Sequence, residues 1–294
     1  MASTQPPVFR ASTNLVLIHV NVFDRRSDAV PNLSRDAFKV YEDGVEQTID
    51  FFAAREAPIA AGLAIDNSSS MIARHNMVRA GITAFADAAH DTDEMFTILF
   101  NEHVRYGLPP ELRFTRSRDL LLSAMAQRPP GGMTALHDAV IEGLSRLAES
   151  SNQKRALVVL SDGEDNASRQ SESNMLYRAA QSQALIYTIW TGDLLPDNGN
   201  PKLLRRLAQR TGALSYSPRS EREVVSTFME VAENLRRGYS IGYSPANAAA
   251  DGSYRRVEVT AHANGRRLNV RTRPGYIAGD ADVPATRDEA PPAP

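Results

Sequence analysis

The sequence predicts an α/β fold: a mostly parallel sheet with helices on both faces, carried between two strand-rich arms that join into one β-sandwich. Three observations lead there. Short continuous apolar runs alternate with helical stripes over residues 57–237, the pattern of strands buried on both faces and covered by helices. Period-two alternation and Asp-Gly or Asn-Gly turns occupy 10–56 and 238–278. Neither flank holds enough strands for a comfortable sheet domain, so the two are expected to pair as halves of one sandwich, with the α/β unit inserted between them. Residues 279–294, rich in Ala, Pro, Asp and Glu, have too little apolar surface to order themselves and are expected to form a disordered tail.

In chain order, the first expected strand sets Val16, Ile18, Val20 and Val22 on one face and Leu15, Leu17, His19 and Asn21 on the other. Phe38-Lys39-Val40-Tyr41 and Val45-Glu46-Gln47-Thr48-Ile49-Asp50-Phe51-Phe52 flank Glu42-Asp43-Gly44, a strong hairpin signal. The run 59–65 suits a strand buried on both faces, and Val78, Ile82, Phe85 and Ala89 stripe the helix that follows. A further strand is expected at 95–100. Leu136, Ala139, Val140, Gly143, Leu144 and Leu147 then fall at helical spacing. Strands recur at 156–160 and 184–190, and Val224, Val225, Phe228, Val231, Ala232 and Leu235 mark a last helix ending near Gly238. Strands at 239–243, 254–261 and 267–273 complete the chain, divided by Asp251-Gly252 and Asn264-Gly265 turns.

Composition narrows the function. A net charge of −2 over 294 residues supplies no excess of cations for a nucleic-acid backbone. The absence of cysteine excludes disulfides, thiolate metal sites and cysteine nucleophiles. No apolar run approaches the roughly 20 residues that cross a bilayer, so no membrane insertion is expected. Met1-Ala2-Ser3-Thr4-Gln5-Pro6-Pro7 lacks the charged and apolar regions of a secretory signal, and a chain trimmed of its signal would look the same.

Five oxygen-bearing residues stand where apolar runs give way to helical patterns, the place where an α/β sheet collects its functional loops. Asp66, Ser68 and Ser70 lie in Leu63-Ala64-Ile65-Asp66-Asn67-Ser68-Ser69-Ser70-Met71, Thr134 in Gly131-Gly132-Met133-Thr134-Ala135-Leu136, and Asp162 in Leu160-Ser161-Asp162-Gly163. Hydroxyl and carboxylate oxygens without sulfur or imidazole suit a hard cation such as Mg²⁺, with Mn²⁺ or Ca²⁺ as alternatives. Alternation along an extended turn would point Asp66, Ser68 and Ser70 one way. With two charged donors at most, the cation stays under-neutralised and is expected to take an outside carboxylate, an Asp or Glu of a protein partner.

Each of these residues also has an ordinary structural reading. Asp66, the serines and Thr134 precede helices and would serve as caps. Gly131 and Gly132 suit a turn after Pro129-Pro130, while Asp138 and Asp165 read as helix-start and loop-shaping acids. His75, His90, His103 and His137 show no paired ligand spacing. Arg255, Arg256, Arg266, Arg267, Arg271 and Arg273 read as a solvated sheet face.

At the five oxygen residues the chain resembles the von Willebrand factor type A family, whose metal-ion-dependent adhesion site (MIDAS) combines an Asp-x-Ser-x-Ser loop with a distant Thr and a distant Asp. The resemblance implies a doubly wound sheet with the metal at the top of its strands. It also implies direct ligation by Ser68 and Ser70, direct or water-mediated ligation by Thr134, and water- or hydrogen-bond-mediated roles for Asp66 and Asp162. The flanks are similar to a bacterial subgroup, abundant in acidobacteria, with a Phe-x-Val-x-Glu-Asp-Gly stretch, here Phe38-Lys39-Val40-Tyr41-Glu42-Asp43-Gly44, and a terminal Arg-x-Gly-Tyr, here Arg273-Pro274-Gly275-Tyr276. That subgroup implies an exported protein.

The expected function is therefore a non-enzymatic, metal-dependent binding module of the adhesion type. The alternatives are an assembly scaffold with a structural metal, or a hydrolase using the metal or a serine. Against the hydrolase, Ser68 lacks a Gly-x-Ser-x-Gly elbow and no histidine or other general base stands in an evident position.

Overall fold

Eight consecutive buried residues, Ile59–Asp66, form the middle strand of the largest sheet. Burial on both faces is what the apolar run at 59–65 requires, and each large side chain such as Ile65 contributes about 1.5–3 kcal/mol by leaving water. The computed structural model describes residues 15–26, 29–54, 57–126, 128–192 and 199–279. The expected tail, apart from Gly279, and the segment before residue 15 lie outside the described residues.

The first arm contains β1 (Val16–Phe23), a short 3₁₀ turn at Arg35–Ala37, β2 (Phe38–Glu42), β3 (Val45–Gln47) and β4 (Ile49–Ala53). The middle of the chain supplies β5 (Ile59–Asp66), a second 3₁₀ turn (Ser69–Arg74), α1 (His75–Asp87), β6 (Glu94–Phe100) and β7 (Val104–Tyr106). It continues with α2 (Arg118–Ala126), α3 (Leu136–Ala148), β8 (Lys154–Ser161), α4 (Glu172–Gln181) and β9 (Leu185–Trp190). It ends with α5 (Pro201–Thr211), β10 (Ser215–Tyr216) and α6 (Glu221–Arg237). The last arm contributes β11 (Tyr239–Tyr243), β12 (Tyr254–Ala263), β13 (Arg266–Arg267), β14 (Asn269–Arg271) and β15 (Gly275–Ile277).

The central sheet runs β10-β9-β8-β5-β6-β7, parallel throughout except for β7 at one edge. Alternate residues of β5 divide between two cores. Ile59, Ala61, Leu63 and Ile65 meet α1, α2 and α6 through Val78, Ile82, Leu121, Val224 and Phe228. Ala60 and Ala64 belong to the opposite cluster, with Leu136, Val140, Met175, Leu203 and Leu207 of α3, α4 and α5.

Two smaller sheets draw strands from both ends of the chain. One is ordered β14-β1-β11-β4, so that strands of the last and first arms alternate across it; the other is β13-β12-β2-β3, with β15 also on β12. One apolar cluster joins them, including Ile18, Val20, Val40, Tyr239, Ile241, Val257 and Val259. The expected run from Val45 to Phe52 is interrupted at Thr48, where the chain leaves β2 and crosses to the sheet of β11. The two-residue turns fall at Asp43-Gly44 and Asn264-Gly265, all four residues at positive φ, the backbone a tight hairpin demands.

Burial in these arms goes further than alternation tells, and one expectation is corrected. From Leu17 onward the second face of β1 is buried too: His19 and Asn21 are 5 % and 7 % exposed. His19 lies at the base of the central sheet, where complete burial and then the nearby charges of Lys154 and Arg273 push its imidazole down to about 3. The arginines are not uniformly solvated either, since Arg255 and Arg273 are buried. Arg273 donates from Nη1 to Ser182 O (2.8 Å), from Nη2 to Ala180 O (2.9 Å) and from Nε to Gly275 O (3.0 Å). It thus closes the carboxyl end of α4 from the last arm, where a cation also complements the helix dipole. The two stretches that carried the flank resemblance meet nearby, because Glu42 Oε2 accepts from Tyr276 Oη and Tyr243 Oη, both at 2.8 Å.

Candidate metal site at the carboxyl edge of the central sheet

Chain order places β6 on one side of β5 and β8 on the other, so the winding reverses between β5 and β8. A reversal of this kind opens a crevice at the carboxyl ends of the strands. Asp66 is the last residue of β5, Asp162 directly follows β8, and Thr134 lies in the loop entering α3.

Asp66 and Ser68 are both 2 % exposed. Asp66 Oδ1 accepts the Ser68 backbone N–H at 3.0 Å, and Oδ2 accepts Ser161 Oγ–H at 2.6 Å. Ser68 Oγ and Ser70 Oγ are 3.1 Å apart, with Ser70 exposed to solvent. The turn is not extended as expected: Ser69–Arg74 winds as a 3₁₀ helix, and Ser70 reaches Ser68 from its first turn. The capping readings are not realised. Ser68 precedes that helix without a side-chain capping bond, and Ala135, not Thr134, occupies the position before α3.

Thr134 is held by its backbone. Its N–H donates to Asn166 Oδ1 (2.8 Å), and its carbonyl accepts the N–H groups of Asn166 and Ala167 (both 3.0 Å). The Thr134 loop is tied to the Asp66 loop by Gly131 N–H to Asn67 O (2.8 Å) and Ser69 N–H to Gly132 O (3.2 Å). Asp162 is steadied by Glu164 N–H on its Oδ1 (3.1 Å) and by Asn200 N–H on its carbonyl (2.8 Å). Gly163 is required there, since at φ +82° a side chain would be strained and its Cβ would lie 2.5 Å from Asn200 O.

The structure thus joins Asp66, Ser68 and Ser70 by direct contacts, sets Asp162 within electrostatic reach of Asp66, and brings in Thr134 through the backbone of neighbouring loops. Burial pushes the Asp66 carboxyl up to about 6; hydrogen bonds from Ser161 and Ser68 oppose that rise, and the Asp162 charge adds to it. Neither aspartate is ion-paired with a described residue. Among the described residues no group of three His, Asp or Glu side chains gathers to hold a metal, so a cation at this edge would depend on hydroxyls. Two buried carboxylates beside a hydroxyl pair are a donor set of the type that hard divalent cations take.

Sequence reasoning passed over three residues that shape this edge. Ser161 bridges Asp66 Oδ2 and the Gly163 N–H (3.0 Å), and its place beside Asp162 was the available signal. Asn67 Nδ2 donates to Pro129 O at 3.3 Å, and Asn166 holds Thr134; nothing in their local sequence announced either contact. Asp165 and Asp138 act as loop-shaping acids, accepting the backbone N–H groups of His137 (2.9 Å) and of Arg169 and Gln170 (3.0 and 2.9 Å).

No family model matches the chain, and no curated protein matches it in sequence. Solved structures do match. A von Willebrand factor type A protein from Catenulispora acidiphila aligns over 92 % of this chain and 76 % of its own, at 14 % identity and a TM-score of 0.52. Proximal thread matrix protein 1 from the mussel byssus aligns over 66 % of this chain and 50 % of its own, at 17 % identity and a TM-score of 0.50. The pilus adhesin SpaC from Lactobacillus rhamnosus GG, in an open conformation, aligns over 85 % of this chain and 49 % of its own, at 9 % identity and a TM-score of 0.50. With a sheet wound to either side of β5, α1, α2 and α6 on one face and α3, α4 and α5 on the other, the chain carries the von Willebrand factor type A fold.

Proposed function

We propose that this chain is a protein-binding module of the adhesion type that holds one divalent cation with Asp66, Ser68, Ser70, Thr134 and Asp162 and uses it to capture an Asp or Glu of a partner protein. The observation that carries this is the pairing of buried Asp66 and Ser68 with solvent-facing Ser70 at the winding reversal, with no protein cation on either aspartate among the described residues. The cation, Mg²⁺ or in its place Mn²⁺ or Ca²⁺, would supply a positive centre incompletely neutralised by its cradle. Asp66 orients the Ser68 backbone, Ser161 fixes Asp66, and the Asn166 amide fixes the Thr134 loop. A pilus adhesin among the proteins of similar fold supports the adhesion reading.

The two flanking sheets are read as a single β-sandwich, its halves at 10–56 and 238–278, interrupted by an α/β unit at 57–237; their shared apolar cluster and alternating arms support this. Such a module works outside the cell, so export belongs to the proposal. Among the described residues no helix is long and apolar enough to cross a membrane.

Titration calorimetry tests the site. One Mg²⁺ site is expected in the wild type and none measurable in Asp66→Ala, whose circular dichroism should match the parent; equal affinity in the two proteins ends the proposal. A pull-down from source extract with and without chelator tests the partner side, where chelator-sensitive capture is the expected result.

A further inference from the structure

The loop that carries Asp66 and Ser68 has a second side. Asn67, the residue between them, lines a cleft of about 170 Å³ together with Leu99, Phe100, Asn101, Arg105, Arg128 and Pro129. At about 30 Å³ per water this is room for roughly five or six waters, enough for one carboxylate side chain and too little for a folded element. No acidic residue lines it, and two arginines do. Arg105 is half-buried and Arg128 exposed, and neither side chain forms a hydrogen bond or ion pair with a described residue. One neighbouring acid, Glu102, lies outside the lining: it accepts the Met133 N–H at 3.1 Å, and the Arg105 charge is among the influences that hold its carboxyl low.

The walls are fixed from several directions. Asn67 N–H donates to Phe100 O (2.7 Å), Asn67 Nδ2 to Pro129 O (3.3 Å), and Asn101 Nδ2 to Gly131 O (3.1 Å). The cleft therefore shares a rigid partition with the residues proposed to hold the cation. Ile72, in the 3₁₀ turn that carries Ser70, and Met133, next to Thr134, are 63 % and 53 % exposed. Large apolar side chains at solvent favour a protein segment over a small free anion as the occupant.

We infer that the Arg105 and Arg128 cleft is a second anion subsite that takes another carboxylate of the same partner segment, so that the partner presents two acidic residues close together beside apolar ones. This rests on the metal-dependent reading of the neighbouring site. An extended segment sets side chains of one face about 7 Å apart, which makes Glu-x-Glu the simplest spacing to reach two adjacent subsites. Guanidinium groups suit the second because their planar donors pair with a carboxylate without a metal.

The test is fluorescence polarisation on the full chain in Mg²⁺, with labelled Gly-Ser-Leu peptides that carry Glu-x-Glu, Glu-x-Gln or no acid. The Glu-x-Glu peptide should bind the wild type about tenfold or more tighter than the one-acid peptide. In Arg105→Gln/Arg128→Gln that advantage should vanish while one-acid binding stays as it was, and an unchanged thermal midpoint verifies the fold. A preference that survives the double variant, or a two-acid peptide that does not bind, overturns the subsite. Displacement by inorganic phosphate and by the two-acid peptide at the same concentration overturns the peptide assignment in favour of a general anion site. A Mg²⁺ titration in the same buffer separates the two failures: heat from one ion with no two-acid preference sinks only the subsite, and no heat at all sinks the metal reading.

Discussion

The two ends of the central sheet answer their buried carboxylates differently. At its amino-terminal base, cations and a carboxylate are matched inside the protein. Lys154 Nζ donates to Gly238 O (3.1 Å) just past α6, Arg273 closes α4, and Arg236 pairs with Asp93 at 2.7 Å. Asp93 in turn accepts the Ile59 and His90 N–H groups at 3.0 and 2.8 Å. At the carboxyl edge, Asp66 and Asp162 are buried with hydrogen bonds but no cation among the described residues. Asp93 has a counter-ion in Arg236, whereas Asp66 and Asp162 have hydrogen bonds alone among the described residues, which is the arrangement the proposed cation would complete.

The largest effect should come from breaking the base. Arg273→Met leaves the carbonyls of Ala180 and Ser182 without their buried donor, so a loss of about 3–5 kcal/mol in urea unfolding is expected, with Mg²⁺ affinity in the surviving native protein unchanged. A loss below about 1 kcal/mol would mean that α4 closes without the last arm. At the other end the sign should reverse. Asp66→Asn in chelator should unfold no earlier than the wild type, whereas Mg²⁺ at a hundred times its dissociation constant should stabilise the wild type by about 2.7 kcal/mol and the variant not at all. Equal stabilisation of both proteins by Mg²⁺ would erase the contrast between the two ends.

The third effect is a pH dependence seated at the base. His19 is held near 3 in the fold against about 6.5 in the unfolded chain, so the unfolded state binds the extra proton between those values. The contribution is complete above pH 6.5 and is lost as pH falls, about 2 kcal/mol of it by pH 5. His19→Gln should remove that part of the acid sensitivity; parallel stability curves for the two proteins would assign it elsewhere. The smallest effect belongs to Ser161→Ala, which deletes a donor to Asp66 Oδ2 without emptying the core. Mg²⁺ affinity should fall about tenfold by calorimetry, in line with residues that orient metal ligands, and an unaltered affinity would show that Asp66 needs no such guide.

Much of this contrast was readable before any coordinates. The run at 59–65 and the stripes on α1, α3 and α6 were legible because periodicity survives wherever one helix face or both strand faces are apolar. Other elements escaped for local reasons. In α2 the consecutive Leu120-Leu121-Leu122 hides any stripe, β7 is a three-residue edge strand, and β15 is three residues that follow Pro274, beyond the last expected strand. α5 carried a clear signal, Asn200 before Pro201 with Leu203, Leu204 and Leu207 behind, that the expected elements left out. At the carboxyl edge the acid and hydroxyl residues stood out because three loops each carried a short distinctive string. The roles of Asn67, Asn166 and the two cleft arginines did not, because each depends on a loop distant in sequence. The buried face of β1 was hidden for the same reason: alternation tells that a strand has two faces, not what covers the second.

The alternating order β14-β1-β11-β4 sets a timetable for the newborn chain. β1 and β4 do not pair with each other; both wait for β11, which starts at Tyr239, nearly 190 residues after β4 ends at Ala53. At about 5–20 residues per second, translation leaves those two strands with open edges for roughly 10–40 s. During that interval the amino-terminal arm is a sticky half-sheet, and whatever escorts the polypeptide off the ribosome has to shield it until the final arm arrives.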